Sequence, residues 1–63
     1  PLAAYQVGQQ VEARYGSQWI RGRVTKLIPT TTRGQREMHY EVMLENRQRG
    51  ILPPDWVRQP ASP

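Results

Sequence analysis

The sequence predicts a single all-β domain, and three observations carry that prediction. Punctuation at Gly8, Gly16-Ser17, Pro29, Gly34, Gly50 and Pro53-Pro54 cuts the chain into segments too short for most helices. Within those segments apolar and polar residues alternate, which is the period of a strand with one buried face. The chain has 63 residues, 37% of them apolar, with no Phe and no Cys, which leaves one small core and excludes both a second domain and a disulfide framework. Ordering a residue costs about 1.5 kcal/mol, so the fold must rest on a few large side chains: Tyr5, Tyr15, Trp19, Tyr40 and Trp56.

The first strand is predicted over 10–15, where Val11, Ala13 and Tyr15 alternate with Glu12 and Arg14. A turn at Gly16-Ser17-Gln18 leads into a second strand over 19–28. There Ile20, Gly22 and Val24 share a face, but the inward phase passes to Leu27, which predicts a bulge or strong bend. Residues 29–37 hold three consecutive Thr, Gly34 and two Arg with no apolar side chain, and are expected to form a loop. Met38, Tyr40, Val42 and Leu44 define the third strand, 45–48 a turn, and 49–52 a short fourth strand. Pro53-Pro54-Asp55-Trp56 cannot continue a ladder and predicts a 3₁₀ turn with Trp56 as a core anchor; Val57-Arg58 can then close the structure as a fifth strand. Five short, bent strands with a 3₁₀ turn before the last are the plan of an SH3-like barrel. One domain is expected over 1–63 with its core at about 5–60 and a Pro-rich tail or linker over 59–63.

Four stretches carry a family resemblance. Val7-Gly8-Gln9-Gln10-Val11-Glu12-Ala13-Arg14-Tyr15 followed by Trp19-Ile20-Arg21-Gly22-Arg23-Val24, then Tyr40-Glu41-Val42-Met43-Leu44-Glu45-Asn46 and Leu52-Pro53-Pro54-Asp55-Trp56-Val57-Arg58, resemble the Tudor-like domains of the Royal superfamily. Leu44-Glu45-Asn46 is similar to the Agenet branch. The resemblance implies a non-catalytic interaction module of a chromatin-associated, nuclear protein that binds a peptide such as a histone tail. In such domains an aromatic cage attracts a methylated Lys or Arg by cation–π interaction. Carried over residue by residue, the cage positions are Tyr15, Ile20, Leu44 and a position near Asn46 or Arg47, of which only Tyr15 is aromatic, so the cage is incomplete. Trp19 lies one residue from a cage position, and that offset points a strand side chain to the other face. The expected peptide-binding surface is therefore Tyr15, Trp19, Ile20, Leu44, Glu45 and Asn46, with Glu45 available to neutralise a cation. The barrel could also dock on a neighbouring domain or pair with a second barrel in tandem.

Charge supplies the alternative. The net charge is +4, and eight of the nine basic residues are Arg, whose planar fork suits phosphate and carboxylate. Arg33, Arg36, Arg47 and Arg49 lie in or beside two loops and are the candidate nucleic-acid contacts of a basic SH3-like barrel, as at the C-terminal end of retroviral-type integrases. Arg14, Arg21 and Arg23 fall on the outward face with Glu12 and Glu41, where cross-strand ion pairing is the simpler expectation. A purely structural barrel within a larger enzyme is the third possibility.

Other chemistry lacks its parts. There is one His, no Cys and no glycine-rich phosphate loop, so neither an enzyme, a metal site nor a cofactor is expected. No apolar run approaches the roughly 20 residues of a membrane span, so no membrane association is expected. Because the chain opens on Pro1 and lacks Cys, it reads as an intracellular module excised from something longer.

Overall fold

The structure, a computed structural model, describes residues 2–61. It contains strands β1 (Gln10–Tyr15), β2 (Gln18–Thr32), β3 (Gln35–Leu44), β4 (Arg49–Leu52) and β5 (Val57–Arg58), with a 3₁₀ turn at Pro54–Trp56. All five strands join one antiparallel sheet in the order β4-β3-β2-β1-β5. The strand count, the order of the strands along the chain and the 3₁₀ turn match the predicted all-β plan, although β2 and β3 both run further than predicted. Closure does not: β5 pairs with β1 (Ala13 opposite Val57) and β4 with β3, so among the described residues the two edge strands share no ladder and the sheet stays open.

The predicted bend is present. Pairing of β2 with β3 shifts between Val24 and Lys26, so Thr25 is the extra residue of a bulge and the inward phase moves from Gly22 and Val24 to Leu27. The Thr25 hydroxyl donates to the Glu41 carboxylate at 2.8 Å, which fixes the bulge on the outer side.

Alternation then assigns the faces. Val11, Ala13, Val24, Tyr40, Val42, Leu44 and Val57 are buried on the concave side, with Tyr5, Ile20, Leu27, Met38 and Leu52 packed around them. Tyr40 is the largest fully buried side chain; its hydroxyl accepts the Ala4 N–H at 2.8 Å, and its ring meets Tyr5 edge-on at 5.2 Å. The Tyr5 hydroxyl in turn donates to the Val57 carbonyl, so the segment before β1 straps across the core and ties into β5.

Two expectations are corrected. Residues 29–37 are not a loop: β2 and β3 run on as a two-stranded ribbon to a tight turn at Arg33-Gly34, whose φ angles of 52° and 77° are both positive. Trp56 is not a core anchor. It is 47% exposed, and the neighbouring Val57 occupies the core instead.

Candidate functional site

The residues of the expected peptide surface divide between two faces. Tyr15 and Ile20 belong to the concave face by alternation with Ala13 and Gly22, and Tyr15 is 47% exposed at the end of β1. Leu44 is only 7% exposed, so it serves the core more than a ligand. Glu45 and Asn46 sit in an exposed turn, where the Glu45 N–H donates to the Arg21 carbonyl and the Asn46 side chain accepts the Gln48 N–H. Trp19 opposes Arg14 on the outer face, away from Ile20, as the one-residue offset requires. One ring is thus left at the cage positions, and Trp19 is engaged elsewhere. The Arg58 guanidinium lies 4.1 Å from its ring centroid and that of Arg14 5.5 Å.

The turn arginines do not form one surface. Arg33 and Arg36 stand at the ribbon tip, whereas Arg47 and Arg49 follow the opposite end of β3. A strand of ten residues separates those ends by roughly 33 Å. Arg47 has a φ of 68° in its turn, while Arg49 opposes Met43 on the outer face.

That outer face gathers the remaining arginines. Along β2 it carries Trp19, Arg21 and Arg23; across the sheet these oppose Arg14, Glu12 and Gln10 on one side, and Arg23 opposes Met43 on the other. The expected network of cross-strand ion pairs is reduced to one. Glu12 accepts from Arg58 Nε at 2.8 Å, across the β1–β5 pair, and is not within ion-pair distance of Arg21, its neighbour on the other side. Glu41 is held by Thr25, and the other carboxylate contact, 2.7 Å between Glu37 and His39, lies out along the ribbon. Among the described residues, Arg14, Arg21, Arg23 and Arg49 have no carboxylate within 4.0 Å. Arg14 and Arg23 are instead oriented by main-chain carbonyls, those of Gly16 and Gly8.

Two depressions frame this face. A groove of about 520 Å³ is lined by Gln10, Arg21, Arg23, Thr25, Met43 and Glu45, together with Gly22 and Leu44. A cleft of about 390 Å³ is formed by Arg14, Gly16, Trp19, Asp55 and Trp56, where the 3₁₀ turn meets the β1–β2 turn. Sequence reasoning missed this cleft, because the outward rotation of Trp56 depends on where the 3₁₀ turn ends. Among the described residues no three His, Cys, Asp or Glu side chains come together as a metal site would require. Comparisons with protein-family models, curated proteins and solved structures find no match for this chain.

Proposed function

We propose that this chain is a non-catalytic module that binds nucleic acid through the outer face of β1, β2 and β5. The observation that carries the reading is the set of arginines there, Arg14, Arg21 and Arg23, that lack carboxylate partners. A folded protein gains little from exposed like charges held on adjacent strands, and arginines directed by main-chain carbonyls are preorganised for an external acid. Phosphate fits the guanidinium fork, and neutralising several phosphates releases their counterions, which drives binding at low salt. The peptide surface around Tyr15, Trp19, Ile20, Leu44, Glu45 and Asn46 has weaker support, since its residues point to two faces and its rings do not converge.

The test is affinity for a short nucleic acid across a range of salt concentrations, beside polyglutamate of matched charge. Arg21→Ala and Arg23→Ala should each weaken binding to all sequences alike and lower the salt slope by about 1. Equal binding of polyglutamate would replace nucleic acid by an acidic protein segment as the ligand. Micromolar binding of a methyl-lysine peptide, lost in Tyr15→Ala, would favour the strand-end surface instead.

A further inference from the structure

We infer that the ligand is single-stranded, with one base lodged in the cleft between Trp19 and Trp56. The inference rests on the nucleic-acid reading and adds to it the form of the ligand. The cleft is continuous with the arginine face, because Arg14 and Trp19 belong to both, and Trp19 carries the guanidinium of Arg58. Its lining is different in kind. Trp56 leaves 47% of its surface exposed and supplies a broad π-face, on which any base stacks. Gly16, at φ 62°, lines the cleft without a side chain, and apart from its chain neighbours no heavy atom lies within 4 Å of where a Cβ would sit.

Asp55 decides what enters. Its carboxylate has no ion-pair partner among the described residues and accepts the amino or imino N–H of a base, a donor that a phosphate does not offer. Phosphates are thus directed to the arginines and a base to the tryptophans. Arg21 and Arg23 lie two residues apart on one strand, about 6.7 Å, close to the separation of adjacent phosphates in an extended single strand. A duplex keeps its bases stacked inside and must flip one out, at a cost in unstacking, before the cleft can be filled.

The experiment compares the intact protein's affinity for a short single strand, its duplex, and an abasic oligonucleotide of the same length. Emission is read in Trp19→Phe, where Trp56 is the one tryptophan left of two. The single strand should quench Trp56 and bind more tightly than the abasic strand. Trp56→Ala should weaken single-strand binding by roughly 5- to 150-fold while leaving abasic affinity unchanged. Trp56→Phe retains a ring and should keep most of the preference, which separates lost stacking from lost fold. Equal affinity for the abasic and natural strands, with Trp56 emission unchanged at saturation, would overturn the lodged base and leave the arginine face standing. Tighter binding of the duplex than of the single strand would also overturn it. No binding of any of the three at low salt would overturn the nucleic-acid reading itself.

Discussion

Gly22 shows how closely a single residue is specified. A Cβ added there would lie 2.7 Å from the Met43 carbonyl oxygen and 2.8 Å from Val42 Cγ1, and a main-chain oxygen inside a ladder cannot move aside cheaply. Gly22→Ala should destabilise the fold by about 1–3 kcal/mol, and in a domain this small each 1 kcal/mol lowers Tm by about 4–8 °C, readable in a thermal melt followed by circular dichroism. Gly22's inward placement was legible in the alternation with Ile20 and Val24. The direction of Trp56 was not. Residues of a 3₁₀ turn advance by a third of a revolution each, so once Val57 enters β5 pointing inward, the residue before it is turned away. Both Trp56 and Val57 are apolar enough for the core, and only the end of the turn decides which of them is buried. Val57→Ala should therefore cost more stability than Trp56→Ala, an order that chemical denaturation of the two variants would check.

At the scale of elements, the bulge and the ribbon had unequal signatures. The phase slip between Val24 and Leu27 is a change of period that only an extra residue explains, and Thr25 supplies it. The ribbon was hidden by its composition. Three Thr are good strand formers, but Pro29 reads as a break and Arg-Gly is not among the usual hairpin dipeptides. Pro29 is tolerated because β1 stops pairing at Gln10 opposite Arg23, which leaves that edge of β2 open where a missing N–H costs no ladder bond. Beyond this point each strand has a neighbour on one side only, so ribbon amides should exchange with solvent faster than those around Val24 and Val42, as residue-resolved hydrogen exchange would show. Arg33→Asn converts the turn to Asn-Gly, which suits two successive positive φ angles, and should slow exchange along the ribbon.

Across the whole molecule, the outward position of the arginines was evident from the sequence, but their lack of partners was not. Period two places Glu12 between Arg21 and Arg58, and the choice between them depends on side-chain geometry across two different ladders. The structure gives Glu12 to Arg58. Glu12→Gln should change stability by less than about 1 kcal/mol, since the pair is partly exposed and screened. By removing the carboxylate from the arginine face, it should also tighten nucleic-acid binding and steepen its salt dependence. Stability of the variant by melt and affinity at two salt concentrations would separate the two effects. A loss of affinity would show that Arg58 needs its partner to stay over Trp19.

The pairing of β1 with β5 sets the order in which this chain acquires its shape. Every other pairing joins strands adjacent in sequence, whereas Ala13 meets Val57 across most of the chain. Closing so long a loop loses more chain entropy than closing a hairpin, so the hairpins form first and β5 docks after them. Val57→Ala should accordingly speed unfolding and leave the refolding rate nearly unchanged in stopped-flow measurements. Arg58 travels with that last strand, and with it come the contacts to Glu12 and the ring of Trp19. The arginine surface is therefore completed only in the finished fold, and an incompletely synthesised chain lacks it.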